Sequence, residues 1–373
     1  MSLSLNEDLT MLAESAGALL RAEAPVGTIR RLREAGQGHD PAIWRQMIDM
    51  GWPAAALPEA YGGLGFGYRG LGVLMEEMGR TVTAAPLFSS AFVAAPLILR
   101  GGSEAQKADL LPRLAAGALG LSLAVDETAH HAPDRIAMMA RAEGGDYVLS
   151  GLKLFVPDVA TADGFIVAAR SEGGAGLLLL RVDRDAPGLE IEPLSLVDER
   201  SHGRLRFDAV QVPAQNLIGT AETGAAILGH ALDIANIGLA AELYGIARQA
   251  HDLTVDYLKQ RKQFGVLIGS FQALQHRASH MAAELEMALS SLRVALLAID
   301  EEDPRLPLIA SAVKVKLARV AHLVTAEAIQ MHGGMGMTDE ADIGFYLKRA
   351  RVAQQLYGGR QYHADRYARL KGY

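Results

Sequence analysis

Lys259–Gln272 reads K-Q-R-K-Q-F-G-V-L-I-G-S-F-Q, and the meaning given to this stretch decides the fold. Arg261 supplies a planar, permanently charged guanidinium suited to a phosphate, and Gln263 and Gln272 supply amides. Phe264 offers a flat apolar face, while Gly265 lets another backbone come close. Taken singly, these residues fit a helix end with a glycine stop and basic side chains favoured by the helix dipole. Taken together, they make one side of a nucleotide site.

The pattern R-x-Q-F-G-x-x-I-x-x-F-Q resembles the C-terminal-domain signature of the acyl-CoA dehydrogenases. A second block, Gln330-Met331-His332-Gly333-Gly334-Met335-Gly336-Met337, is similar to that family's Q-x-x-G-G-x-G segment. The resemblance implies that Arg261, Gln263, Phe264, Phe271, Gln272, Gln330, His332, Gly333 and Gly334 contact the pyrophosphate and adenosine half of an FAD held by a neighbouring subunit.

Composition sets outer bounds. The 373 residues can bury large cores and divide into two or three domains, and an apolar half with few aromatics favours a helix-rich globular chain. There is no cysteine, so disulfides, thiolate nucleophiles and Cys-based metal sites are excluded. A net charge of −7 without a basic stripe argues against nucleic acid, and Arg30-Arg31-Leu32-Arg33 reads as a solvated helix face. The start M-S-L-S-L-N-E-D-L is acidic where a signal peptide is basic, and no apolar run approaches the roughly 20 residues that span a bilayer. The expectation is a cytoplasmic protein with no membrane partner.

From residue 3 to about 118 the pattern is helical, broken by glycine-rich turns. Ser103-Glu104-Ala105-Gln106 forms a capping box, and Tyr61–Gly67 reads as a turn between helices, since no strand precedes it and no Lys-Ser/Thr follows. Near Gly120 short β-type runs begin: 147–149, 153–156, 165–168, 177–182, 189–193 and 204–212. Long helical periods follow at 222–262, 270–300, 307–332 and 340–357. The fold class expected is α+β: an N-terminal helical domain (1–118), a middle antiparallel β-barrel or sandwich (119–217) and a C-terminal four-helix bundle (218–373). This is the order in the family that the chain resembles, closest at its C-terminal end to the small subunits of two-component, pimeloyl-CoA dehydrogenase-type enzymes.

The departures from the family pattern are specific. A carboxylate must take the proton α to the thioester, and most members carry it in Y-E-G-T; here the segment is Tyr357-Gly358-Gly359-Arg360. A second family location, L-D-x-E-R, is Leu232-Asp233-Ile234-Ala235-Asn236, so Gly358 and Ala235 occupy both positions of the base. Glu242 lies two turns further along that helix and reads as a structural polar residue, whereas Asp233 either matches a position near bound acyl-CoA or is an exposed helix acid. The flavin-ring segment T-E-P-x-A-G-S-D is replaced by Asp126-Glu127-Thr128-Ala129-His130-His131-Ala132-Pro133-Asp134, and W-I-T by Phe155-Val156-Pro157. Phe155 keeps an aromatic surface beside the cofactor; Pro157 loses a hydroxyl and a backbone donor. Asp339 and Glu340 read as acids at a helix N-terminus, and His276 and His280 lack the third ligand that zinc needs.

The expectation is therefore a subunit of an FAD-dependent acyl-CoA dehydrogenase that lacks its own base and lends FAD contacts to a large partner subunit in a homo- or heterotetramer. The resemblance implies an acyl-CoA substrate and an electron-transferring flavoprotein as acceptor. An active homo-oligomer with a relocated base, a flavin monooxygenase-like relative and a flavin-free scaffold remain open alternatives.

Overall fold

The computed structural model describes residues 4–173 and 176–373, so the expected helical start at Leu3 lies outside the described residues. In chain order, helices α1 (Glu7–Glu23), α2 (Gly27–Glu34), α3 (Pro41–Asp49), α4 (Gly67–Thr81), α5 (Ala95–Gly101) and α6 (Glu104–Ala115) come first. Strands β1 (Leu121–Ala124), β2 (Met139–Glu143), β3 (Asp146–Pro157), β4 (Gly164–Ser171), β5 (Leu177–Asp183), β6 (Leu189–Leu194), β7 (His202–Val212) and β8 (Leu217–Ile218) follow. The remainder is α7 (Gly224–Gln260), strands β9 (Lys262–Gln263) and β10 (Val266–Leu267), and helices α8 (Gln272–Asp300), α9 (Leu306–His332), α10 (Ile343–Gln355) and α11 (Arg360–Leu370).

The chain divides into two compact units, one containing the N-terminal residues to Glu34, Tyr68–Thr83 and Asn236–Tyr373, the other Ala35–Gly67 and Ala84–Ala235. In the second unit an eight-stranded sheet runs β6-β7-β3-β2-β4-β5-β8, with β1 added beside β4. Most pairs are antiparallel, as expected, but β4 pairs in parallel with both β1 and β2. The first six residues of β4, G-F-I-V-A-A, are all buried, so both faces of this strand are covered and its apolar run is continuous. The runs at 147–149 and 153–156 are a single strand, β3, whose register shifts at two places. Gly151 stands inside it at φ +146°, a conformation that reads as a break in sequence.

The capping box at the start of α6 is present: Ser103 Oγ accepts from Gln106 N–H, and Gln106 Oε1 accepts from Ser103 N–H. The Gln106 side-chain amide also donates to the carbonyls of Gln215 and Leu217, both at 2.9 Å, tying α6 to the end of the sheet.

In the helical unit, α4 and α7 cross at glycines. A Cβ on Gly79 would lie 2.3 Å from the Glu242 carbonyl, and one on Gly245 1.9 Å from the Glu76 carbonyl, so only hydrogen permits this approach. Asp300, at the end of α8, accepts from the backbone N–H groups of Tyr68 and Arg69, satisfying the first amides of α4. Helix α11 follows the four expected helices and packs on α9.

Two expectations are corrected here. One stretch of α7 is long and apolar enough to cross a membrane by composition, with 78% of that window buried inside the fold. Arg30 and Arg33 are not a solvated face: both are tied to residues 339–342.

Candidate functional site

In the helical unit α7 ends at Gln260, and Arg261 stands exposed at the first turn of a tight hairpin. Strands β9 and β10 pair Gln263 with Val266 across Phe264 and Gly265, which have φ of +54° and +79°. Two left-handed central residues are the signature of a type I′ turn, so Gly265 is a hairpin residue and not a helix stop. The turn holds Phe264 out at 91% exposure, with its ring edge-on to Phe271 at 6.2 Å. Gln272 is the first residue of α8. The hairpin therefore brings Arg261, Gln263, Phe264, Phe271 and Gln272 onto one short stretch, all of them exposed.

The second block closes α9. Gln330 is exposed, and His332 stacks on Tyr257 with ring centroids 4.4 Å apart. His332 Nδ1 lies 2.7 Å from the Ala328 carbonyl, which can only accept, and burial lowers the pKa of the ring. Gly333 has φ +61° and ψ −139°, a conformation essentially restricted to glycine. A Cβ on Gly333 or Gly334 would meet nothing within 4 Å, which leaves open backbone at this turn.

The positions of the base lie elsewhere. Ala235 is fully buried within α7. Gly358 has φ +103°, and a Cβ there would stand 2.5 Å from Tyr362 Cδ1 and 3.0 Å from His363 Nε2. The Tyr357 carbonyl accepts from Asn236 Nδ2 at 3.3 Å and lies 3.1 Å from His363 Nε2. The local structure thus accommodates glycine and leaves a larger side chain strained.

Glu242 is fully buried, and its two oxygens accept from Arg349 Nε and Nη2 at 2.7 and 2.8 Å. A carboxylate held in a bidentate guanidinium fork is a structural group, as the sequence suggests. Beneath it Lys314 donates to the carbonyls of Ala353 and Leu356 at 3.1 and 2.9 Å, closing the end of α10. Burial pushes the Lys314 amine down to about 7, with Glu242 opposing the shift and Arg349 adding to it. Asp233 is buried rather than exposed, which removes the reading of a solvated helix acid.

In the β unit the segment 126–134 makes its own polar contacts. Asp126 Oδ1 lies 2.7 Å from His131 Nδ1, both side chains largely shielded. Glu127 accepts from the backbone N–H groups of Ala137 and Met138 and from Lys153 Nζ at 2.7 Å. Lys153 is completely buried, and that burial lowers its pKa against the pull of Glu127. Phe155 is partly exposed at φ +52°, and Asp158 has φ +53°, so left-handed residues flank Pro157. Asp158 in turn accepts from Ser89 Oγ at 2.6 Å. The Glu127–Lys153 pair and the two left-handed residues leave no signal in residue types alone.

Asp339 and Glu340 do not begin a helix: α10 starts at Ile343, and Asp339 accepts a fork from Arg33. The N-terminal acids of the sequence reading are instead part of a lateral ion cluster.

The comparisons agree with this geometry. The acyl-CoA dehydrogenase N-terminal, middle and C-terminal domain descriptions match residues 6–118, 127–210 and 222–370. Acyl-CoA dehydrogenase FadE12 of Mycobacterium tuberculosis is 31% identical over 325 residues, 85% of this chain and 84% of its own. The solved steroid ACAD Tcur3481-Tcur3483 is 31% identical with a TM-score of 0.88 over 99% of both chains. The solved ChsE4-ChsE5 complex of Mycobacterium tuberculosis is 25% identical with a TM-score of 0.91 over 100% of this chain and 99% of that one. An N-terminal helical region, a β domain and a helical C-terminal region that carries the Arg261 and Gln330 motifs place the chain in the acyl-CoA dehydrogenase family.

Proposed function

We propose that this chain is a subunit of a heteromeric acyl-CoA dehydrogenase, of the two-component pimeloyl-CoA dehydrogenase type, that lends nucleotide contacts to a partner without supplying a catalytic base. The carrying observation is the contrast between Gly358, where even a Cβ would collide with Tyr362, and two open features of the helical unit, the exposed Arg261 and the uncrowded glycine backbone at 333–334. The same contrast answers whether FAD fits. Arg261 and the Gly333–Gly334 amides suit a pyrophosphate, and Phe264 suits an adenine face. The β-domain segment does not suit the flavin ring, because Pro157 has no N–H and Asp126 places a carboxylate where the family has a hydroxyl.

The hydride acceptor of the family's reaction, oxidation of an acyl-CoA between its α- and β-carbons, is FAD. This chain's part is to bind and orient: Arg261 neutralises the diphosphate of the partner's cofactor, Gln263, Gln272 and Gln330 add hydrogen bonds, and Phe271 and His332 support the apolar side. Asp233 lies near the acyl-CoA. The partner holds the base, and an electron-transferring flavoprotein takes the electrons. That two solved neighbours are named as pairs, Tcur3481-Tcur3483 and ChsE4-ChsE5, supports a two-chain enzyme. Domain limits near 118 and 217, cytoplasmic location and a place in fatty-acid-type metabolism belong to the same proposal.

The test is purification of the chain alone and together with its co-encoded large subunit. The pair is expected to carry FAD and reduce a dye with acyl-CoA, and the lone chain to do neither. Stoichiometric flavin and turnover from the isolated chain would overturn the reading.

A further inference from the structure

Helix α2 is short and basic, and two of its arginines are anchored on the stretch that follows the open glycine turn. Arg30 donates to the Asp342 carboxylate at 2.6 Å, twice to the Asp339 carbonyl at 3.0 and 2.6 Å, and to the Glu340 carbonyl at 3.0 Å. Arg33, on the same helix face, forks onto the Asp339 carboxylate at 2.9 and 2.6 Å. Both guanidinium groups lie over the buried Phe345 ring, 4.8 and 5.9 Å from its centroid. The Arg33 hydrogen bond holds the Asp339 carboxyl down at about 2, so the cluster is charged at every physiological pH.

An isolated surface ion pair contributes little to stability. This cluster differs, because three of Arg30's bonds end on main-chain carbonyls and so fix the path of the backbone itself. The chain between His332 and Ile343 is otherwise held by local turn bonds, such as those from Thr338 to the Met335 carbonyl. Nothing packs within 4 Å of the missing Cβ positions at Gly333 and Gly334, so neighbouring side chains do not clamp them from above.

The geometry points to α2 as a latch: Arg30 and Arg33 grip residues 339–342 and thereby position the Gly333–Gly334 backbone for the diphosphate of a partner-held nucleotide. They are positioning residues and touch no cofactor atom. The role in nucleotide binding rests on the lending function proposed above, whereas the grip itself belongs to the isolated chain.

The test uses Arg30→Met, which removes the bonds to the main-chain carbonyls, together with Arg33→Asp, Asp339→Arg and the double swap of the latter two. Hydrogen exchange of the isolated chain is read first, then FAD affinity of the reconstituted pair, beside Arg261→Ala. Each single variant is expected to speed amide exchange in residues 333–342 about tenfold and to weaken FAD by a similar factor, with the melting temperature of the chain nearly unchanged. The double swap should restore both. Unchanged exchange in the single variants overturns the latch. Faster exchange with unchanged FAD affinity, while Arg261→Ala still weakens FAD, overturns the positioning role and spares the lending function. If Arg261→Ala also has no effect, the lending function fails and the exchange result alone still decides the latch.

Discussion

The hairpin at 262–267 and the strand end at 155–158 are the two places where the family resemblance implies cofactor contacts, and they use polar groups in opposite ways. In the helical unit, Arg261, Gln263 and Gln330 are exposed, and the glycines at 265, 333 and 334 have nothing within 4 Å of a Cβ position. Around the strand end, Asp126 faces His131, Glu127 faces Lys153 and Asp158 faces Ser89, so the charged groups are already satisfied within the fold. A site for a charged ligand needs hydrogen-bonding capacity left over after folding. The first region has it and the second does not.

The contrast can be broken at either end. Lys153→Met leaves Glu127 partly buried with only its two backbone donors, and stranding one member of a buried pair costs about 3–5 kcal/mol. A loss of that order in a urea or thermal melt is expected; a shift under 1 kcal/mol would mean that the β-domain charges are not tied up internally. Arg261→Ala should do the reverse, leaving the melt unchanged while weakening the partner's FAD by about 10- to 100-fold, the worth of a charge-assisted contact. FAD fluorescence on dilution of the reconstituted pair reads this directly.

How much of this was visible in residue types depends on the range of the interaction that decides each feature. The long helices were legible because apolar spacing over 27 or more residues in α7, α8 and α9 outweighs any local exception. The hairpin was not, because its turn is Phe264-Gly265 and lacks the Asn-Gly or Asp-Gly signature that announces a left-handed pair. Strand β3 looked like two strands because Gly151 punctuates it. The Arg30 and Arg33 contacts join positions about three hundred residues apart, and a cluster of arginines on a short helix carries no record of what it faces. That Gly358 and Ala235 stand where the family resemblance implies a base is legible in residue types, but the backbone angle that makes Gly358 difficult to replace is not.

That angle gives the third prediction. If the only thing absent from this chain were a carboxylate, Gly358→Glu should create one. At φ +103°, with Tyr362 Cδ1 2.5 Å from the new Cβ, the substitution instead costs about 1–3 kcal/mol and displaces its neighbours. The expected outcome is a lower melting temperature and no dehydrogenase activity in the isolated variant. Activity without loss of stability would show that the loop adapts, and that the difference between the two regions is one of residue identity alone.

The last effect, read as a slope with pH and not as a single loss, concerns Lys314, which ties up the carbonyls at the end of α10 just ahead of that loop. Burial lowers its pKa from 10.5 to about 7, so between these values the unfolded chain holds a proton that the folded chain has released. Stability therefore rises with pH across that window, by at most about 1.4 kcal/mol per pH unit, and carries the full penalty of the buried charge below it. The melting temperature of the native chain should climb more steeply from pH 7 to 9 than that of Lys314→Met, in which the titrating amine is gone. Parallel slopes would mean that Lys314 stays charged throughout, held by Glu242 as a permanent cation. In that case Lys314, Glu242 and Arg349 would form a closed ion network like the one around Lys153, in contrast to the exposed polar groups of the hairpin.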